Sequence, residues 1–423
     1  MKKNYWLFGG AAVLVLVLGL LIGYGFKPST TATAGATVIK SINDGELNPK
    51  VWGEAYPDHY ASYLDNKEMI QGNSKYGGST QFDRLERDPM LKTLFGGYGF
   101  GADYTKERGH IYAVEDVLAT ERKKPSASCW VCKGPAVVGL IEEMGDSFYT
   151  APFDSVADKM KNSVSCADCH DNKTMELKIT RPALIEGLKA MGKDPENLSR
   201  QEMRSAVCGQ CHVTYFMQPK TNKVTFPWKN GQKVDDILNY ENDIGFSDWT
   251  MPNTKTPMAK VRHPEYELFS TSTHAANGVA CADCHMPYVK EGQSKISSHH
   301  WKSPLNSIAQ SCQTCHKQSE EYLKDQVINV QDKVHETKMT AEKAIVDAIE
   351  MIAKGTADPK ANQKLLEEAR QLHRDANFYW DFIASENSTG FHSPEEALRI
   401  LGKAIDLGHQ AEKKAIQATS VVQ

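Results

Sequence analysis

The chain is 423 residues long, 40% hydrophobic and 24% charged, a globular composition that excludes a disordered or collagen-like polypeptide. A net charge of -4 provides no overall basic field, which excludes nucleic-acid backbone binding as a general function. All ten cysteines fall in C-x-x-C pairs with none left over, and that spacing is the most informative feature of the sequence.

Taken in chain order, residues 1–36 read as an N-terminal signal or membrane anchor followed by a linker. Lys2 and Lys3 precede an uncharged run from Trp6 to Phe26, close to the ~20 residues that span a bilayer. The run is long for a cleaved signal, yet Ala32-Thr33-Ala34 offers a small-residue cleavage pattern, so cleavage and retention both stand. Basic residues ahead of the run put the remainder in the periplasm or on the extracytoplasmic face. The Thr/Ala/Gly-rich stretch from Pro28 to Thr37 reads as a flexible linker.

Residues 37–317 show little period-two alternation and carry every cysteine pair in loop-rich sequence. Residues 318–423 are different. Leu323, Val327, Val330, Val334, Thr337, Ala341, Ala344, Ala348 and Ile352 follow spacings of four and three, a heptad seam on one long helix that Gly355 and Pro359 should end. A second helix is expected over Ala361–Ala384. A third opens at Ser393-Pro394-Glu395-Glu396, a capping box with Pro at the first helical position, and continues past Ile405. The fold class is therefore mainly α. The seam fits either packing within the chain or contact with a second copy.

Extracytoplasmic surroundings favour disulfides, but a C-x-x-C disulfide closes a tiny strained loop suited to redox exchange, and five of them would staple a domain poorly. The pairs are Cys129/Cys132, Cys166/Cys169, Cys208/Cys211, Cys281/Cys284 and Cys312/Cys315. Four are followed directly by histidine: His170, His212, His285 and His316. C-x-x-C-H attaches c-type haem, with both thiols joined to the porphyrin and the adjacent imidazole seated under iron. Structural zinc sites rarely place His immediately after the second Cys. The first pair is followed by Lys133. An amine can ligate iron only when deprotonated, which metal and burial both favour. One iron treated differently from four others is the natural reaction centre, and the core of this region would be built largely on porphyrins.

One C-x-x-C-K motif followed by four C-x-x-C-H motifs resembles cytochrome c nitrite reductase, the ammonia-forming pentahaem enzyme. The likeness runs from about Gly97 to Leu401 and includes Arg108-Gly109-His110-Ile111-Tyr112-Ala113-Val114, Cys211-His212-Val213-Thr214-Tyr215, His263-Pro264-Glu265-Tyr266-Glu267 and Cys281-Ala282-Asp283-Cys284-His285-Met286-Pro287. The resemblance implies five haem c groups, four of them bis-histidine wires and the Lys133-ligated one open to nitrite. It implies distal ligands His110 for the third motif, His274 for the fifth, His392 for the fourth and His299 for the second, with the adjacent His300 an alternative. His59, His300, His335, His373 and His409 are then ordinary.

The resemblance also carries over a catalytic trio, Arg122, Tyr215 and His263, acting with Lys133. Nitrite is an anion whose reduction to ammonium takes up six electrons and eight protons, so a fixed positive charge and proton donors suit the task. It further implies a helical homodimer and a membrane-bound multihaem quinol dehydrogenase, or another extracytoplasmic electron donor, as partner. Many members hold calcium beside the catalytic site, with a Glu after the His-Val of the third motif and a Gln before the catalytic His among its ligands. Here those positions are Thr214 and Arg262. Calcium needs several oxygen ligands, so calcium is expected to be absent, with Arg262 replacing its charge and contributing, with Arg122 and Lys260, to an electropositive funnel. Two other functions remain alternatives at this level: a pure multihaem electron carrier, and a related multihaem enzyme acting on hydroxylamine or a sulfur oxyanion.

Overall fold

The computed structural model describes residues 40–420. The chain divides into two compact units, residues 1–41 and 42–423, and the fold below is that of the second. The run Trp6–Phe26 and its linker lie outside the described residues. No described helix is long and apolar enough to cross a membrane.

The unit is mainly α, as expected; strands among the described residues form three two-stranded antiparallel hairpins. Short helical turns and loops from Pro49 to Ser311 carry the first four cysteine pairs and lead into the fifth. Helix α1, Arg200–Gly209, starts at a capping box: the Ser199 hydroxyl accepts from Glu202 N at 3.2 Å, and Glu202 Oε2 accepts from Ser199 N at 2.8 Å. Its last turn carries Cys208. Strands β1 (Trp249–Thr250) and β2 (Pro257–Met258) form a hairpin that leads directly into Lys260–His263.

Three long helices follow. Helix α2, Glu320–Ala357, is capped by Ser319, whose hydroxyl accepts from Tyr322 N at 3.2 Å. Helix α3, Gln363–Ala384, is capped by Asn362, and helix α4 runs from Pro394 to Ser420. The start of α4 agrees with the sequence, but the Ser393 hydroxyl lies 2.9 Å from that of Thr271. Gly355 does not end α2; Asp358 does, one residue before Pro359. Gly355 is needed for close packing, because a Cβ there would lie 2.6 Å from Leu366 Cδ2 of α3. Gly355→Ala should therefore destabilise the protein by about 1–3 kcal/mol through overpacking; an unchanged thermal midpoint would show that Leu366 simply rotates away.

The heptad seam is spent largely inside the chain. Val334, Ala341, Ala344, Ala348 and Ile352 are almost fully buried. Ala348 and Ile352 cluster with Ala369 of α3 and with Ala411 and Ala415 of α4, and a Cβ on Gly408 of α4 would meet Ala344 at 3.2 Å. Small residues let the helices approach closely, so the stripe from Val334 to Ile352 packs largely inside the chain, whereas Leu323, Val330 and Thr337 remain half-buried.

Helix α3 also grips the segment that enters the site. Arg370 Nε donates to Thr254 O at 2.7 Å, Arg374 Nη1 to Pro257 O at 2.9 Å, and Asp381 Oδ2 accepts from Val261 N at 2.9 Å. His373 Nδ1 lies 3.0 Å from the Thr256 hydroxyl. Steps of three, four and seven positions, from Arg370 to His373, Arg370 to Arg374 and Arg374 to Asp381, put these residues on one stripe of the helix that holds the hairpin turn at Thr254 and the segment through Val261 as a rail.

Candidate active site

The cysteine motifs are single helical turns. His170 N donates to Cys166 O, His212 N to Cys208 O and His316 N to Cys312 O, each at 2.9 Å, while Cys281–His285 is helical throughout. Positions i, i+3 and i+4 share one face of a turn, so both thiols and the imidazole face the same way. The first motif is wound more tightly: Lys133 N donates to Trp130 O, three residues back, at 2.9 Å. A Cβ on the following Gly134 would lie 2.0 Å from Asn162 O, so only glycine lets the chain pass there.

Cys315 differs from the other attachment cysteines in its surroundings. It is exposed, whereas the other nine cysteines are half-buried. The physical reason is its place in the chain. The fifth turn runs straight into the solvent-facing start of α2, and Thr314, His316 and Lys317 through Tyr322 are exposed with it, so no element packs over this thiol. Its partner Cys312 is half-buried against Leu305, Ile308 and Val327. The fifth motif therefore keeps the attachment geometry of the others at the rim of the polypeptide fold.

Four imidazole pairs face one another. His110 and His212 approach to 3.4 Å between their Nε2 atoms. His170/His299, His274/His316 and His285/His392 each have ring centroids 6.2 Å apart. Three of the far nitrogens are anchored to carbonyls: His170 Nδ1 lies 2.8 Å from Met175 O, His299 Nδ1 2.9 Å from Ser297 O and His285 Nδ1 3.2 Å from Lys302 O. Carboxylates face two others, Glu265 at 3.6 Å from His212 Nδ1 and Glu386 at 3.4 Å from His392 Nδ1. Holding Nδ1 leaves Nε2 free and oriented, the usual arrangement of metal-bound imidazoles. With an imidazole nitrogen about 2 Å from a first-row metal, the three pairs with centroids 6.2 Å apart have room for one ion between them, while the 3.4 Å gap of His110 and His212 would have to open by a few tenths of an ångström. The donor sets thus fit covalent haem. His299, not His300, faces His170; His300 lines a small cavity with His285, Lys302 and Asn306.

His263 and Tyr215 lie by the first motif, and the three residues of the trio take up distinct settings. His263 follows the α3-held rail, with its N donating to Val213 O at 3.3 Å, and lies within electrostatic reach of Lys133. Burial depresses its pKa to about 4. Tyr215 interacts electrostatically with Cys132 and Cys129, and burial raises its phenol pKa. Arg122 is held from behind: Nη1 donates to Asp103 O at 2.6 Å and Cζ sits 4.2 Å from the Phe100 ring centroid. Phe100 continues into a stack with Tyr98 and Trp249, at 5.7 and 4.4 Å between successive centroids.

Arg262 is largely enclosed rather than solvent-facing, its side chain 12% exposed. Its guanidinium donates to both Asp248 oxygens, at 2.9 and 2.6 Å, and to Lys260 O, and Cζ lies 5.5 Å from the Tyr215 ring centroid. Glu241 is buried close by, and burial followed by the Asp248 charge pushes its pKa up to about 8. Thr214 gives no carboxylate; its N donates to Glu267 Oε1 at 3.0 Å. Lys260 departs from expectation. Its ammonium points into the core, 2.8 and 3.0 Å from the Asp381 oxygens and 2.6 Å from the Ser385 hydroxyl, so its charge is neutralised and adds little to a funnel.

Residues 48–422 match the family described as cytochrome c552. The chain belongs to the cytochrome c552 family. Its similar relatives include a cytochrome c-552 of Bacteroides thetaiotaomicron, 37% identical over 97% of this chain and 85% of the relative. The cytochrome c nitrite reductase subunit NrfA of Nitratidesulfovibrio vulgaris is 36% identical, covering 88% of this chain and 79% of its own. Among solved structures, the catalytic subunit of cytochrome c nitrite reductase from Desulfovibrio desulfuricans, a protein with two calcium sites, matches with a TM-score of 0.86 and 33% identity over 90% of this chain and 89% of that one. Family membership implies covalently bound c-type haem, consistent with the donor sets above.

Two features of this cytochrome c552 site were not evident from the sequence. His59, set aside as ordinary, packs edge-on against His299 with centroids 5.4 Å apart. The spacer residues of the motifs also cross-link one another: Asp168 and Asp283 occupy the same place in two C-A-D-C-H motifs. Each accepts from the backbone N–H three residues earlier, Ser165 and Ala280, at 2.8 Å, and each pairs with an arginine, Arg181 and Arg204 respectively. The repeated C-A-D-C-H was the available signal; the arginines lie too far away in sequence to be matched to it.

Proposed function

We propose that this protein reduces nitrite to ammonium and two waters, taking up six electrons and eight protons, at an extracytoplasmic pentahaem centre. The observation that carries the reading is the contrast among motifs: four present an imidazole to a facing imidazole, and the one with lysine lies beside Tyr215 and His263 instead. Lys133 would ligate one haem iron, and His170/His299, His212/His110, His285/His392 and His316/His274 the other four. The haems supply iron for N–O bond chemistry and a path for electrons. An electron carrier would need neither the odd motif nor the trio, and both relatives named as nitrite reductases support the enzymatic reading.

Arg122 brings a permanent positive charge to an anionic substrate and can donate to its oxygens as they gain charge. His263, kept neutral by burial, can donate from one nitrogen and accept a proton at the other. Tyr215 keeps its phenolic proton and serves as a donor. Arg262 stands in for calcium in this proposal: a largely enclosed cation with a carboxylate and a backbone carbonyl as partners, set against the Tyr215 ring. Electrons would come from a membrane-bound multihaem quinol dehydrogenase or another extracytoplasmic donor. A homodimer would use helix faces outside the buried seam.

The deciding experiment is ammonium yield from nitrite with a reduced viologen donor, and absence of ammonium would overturn the reading. The mature chain should carry five haem masses with no free thiol; four haems with Cys129 and Cys132 free would remove the reaction centre. Arg122→Ala should keep all haems, raise KM for nitrite and lower kcat/KM by about a hundredfold, the scale of losing one oxyanion donor. Wild-type constants in that variant would show that Arg122 does not touch substrate.

A further inference from the structure

The segment carrying Lys133 is fastened from behind by one buried arginine. Arg181 precedes Pro182, which keeps it extended at φ -101° and ψ 119° just before a helix begins. Its side chain is fully buried and makes four contacts. Nε donates to Val131 O at 2.7 Å and Nη2 to Gly134 O at 3.1 Å, so the two carbonyls that bracket Cys132-Lys133 are both tethered. Nη2 also meets Asp168 Oδ1 within the second motif. Nη1 donates to the Thr180 hydroxyl at 2.6 Å.

Thr180 extends the junction to the third motif. Its N donates to Gln210 Oε1 at 3.0 Å, and its hydroxyl lies 2.9 Å from Asp168 O. Gln210, the spacer residue before Cys211, closes the triangle by donating from Nε2 to Asp168 O at 2.9 Å. Spacer groups of three cysteine motifs therefore converge on the dipeptide Thr180-Arg181. Gly134 tightens the same region, since no side chain fits against Asn162 O.

We propose that Arg181 is a positioning residue for the reaction centre, holding the backbone on both sides of Lys133 in fixed register with the second and third haem-attachment turns. The inference rests on Lys133 being an iron ligand. A guanidinium suits this task because its planar fork reaches two carbonyls and a carboxylate together, whereas an ammonium is a point charge on a flexible stem. Lysine has four side-chain torsions where an imidazole ligand has two, so its amine is seated accurately only if the backbone beneath it is fixed. Arg181 touches neither substrate nor the face where Arg122 acts, and its influence should appear in turnover and in iron spectroscopy rather than in nitrite capture.

The test uses the haem-loaded full chain with Arg181→Met and Arg181→Lys, and Arg204→Met as a comparison. Arg204 makes the analogous pair with Asp283 in the fourth motif, away from Lys133. Both Arg181 variants should retain five haems by mass, shift the high-spin haem signal in electron paramagnetic resonance and lower kcat by about 10- to 100-fold, the usual effect of removing an outer partner of a metal ligand, with KM for nitrite little changed. Arg181→Lys should regain thermal stability through Asp168 without regaining the wild-type signal. Arg204→Met should lower stability and leave the high-spin signal in place. A wild-type signal in both Arg181 variants, or an equal shift in Arg204→Met, would overturn the proposal. Should the Arg181 variants fail to load haem, Thr180→Val removes the hydroxyl that accepts from Arg181 Nη1 and lies against Asp168 O while keeping the guanidinium, and an unmoved high-spin signal there has the same force. A wild-type enzyme with no high-spin haem would instead remove the Lys133 reading, and the proposal with it.

Discussion

Lys133→His is expected to retain five haems and lose nearly all nitrite reduction. The substitution completes a C-x-x-C-H motif, so attachment chemistry is preserved. Local geometry is not. In the other turns the histidine N–H bonds the first cysteine carbonyl four residues back, whereas Lys133 N bonds Trp130 O three residues back, which turns its side chain to a different angle. The Arg181 tethers at Val131 and Gly134 keep the backbone from rewinding to suit a shorter, planar ligand. An imidazole would therefore seat off-axis or strain the loop, and its donor strength also differs from that of an amine. Changing an outer partner alone typically reduces activity about 10- to 100-fold; changing the ligand itself should exceed that. Ammonium formation in a viologen assay, alongside haem counting, measures the outcome. Turnover at the wild-type rate would show the lysine to be incidental.

Arg262→Gln should collapse activity, and wild-type activity should be insensitive to chelators and to added calcium. The guanidinium is the counter-charge to Asp248, whose side chain is only 10% exposed. Truncating one member of a buried pair destabilises by about 3–5 kcal/mol, because the remaining charge is stranded. Asp248 also accepts from Lys260 N at 2.8 Å, so the disturbance passes into the rail that presents His263. Tyr215 loses the cation beside its ring. Glutamine returns an amide oxygen beside Asp248 and Lys260 O, but Thr214 still supplies no carboxylate where calcium-binding members are expected to have Glu, so calcium should not replace the lost charge. Metal analysis of purified protein is the complementary measurement. Stoichiometric calcium, or chelator-sensitive turnover restored by calcium, would show that Arg262 has another task.

The reach of the sequence followed the range of the interactions. Haem attachment turns were legible because i, i+3 and i+4 on one turn are a local matter. How deeply each turn is buried was not: Cys315 has the same local spacing as the other second cysteines, and its exposure follows from what fails to pack over the fifth turn. The long helices were legible because Pro359 and Pro394 act on their own neighbours, although the second begins at Gln363, after its Asn362 cap, and not at Ala361. What the helices face was not. The seam of α2 fits a partner chain or α3 and α4 equally well, and only the close approach of Ala344 to Gly408 shows that the chain uses it internally. Gly355 was misjudged as a terminator because its role depends on Leu366, outside its own helix. Lys260 read as a free positive charge until Asp381 and Ser385 were placed beside it. His299 and His300 are neighbours with the same chemistry, and only tertiary placement separates them. Arg181 carried no local signal at all, since its partners belong to two different motifs.

The pairing of imidazoles also bears on how such a chain matures. His299 and His392 lie more than a hundred residues beyond His170 and His285. With synthesis at about 5–20 residues per second, each later histidine reaches the growing chain on the order of ten seconds after its partner. A haem joined early to the second or fourth turn would wait with one axial position open to whatever imidazole is nearby. His59 already lies beside that second pair, upstream of both its members. If these pairs ligate iron as proposed, misligation during assembly is a hazard written into the order of the chain, and slow exchange of a wrong axial ligand would give a refolding phase set by histidine traffic rather than by collapse of the apolar core.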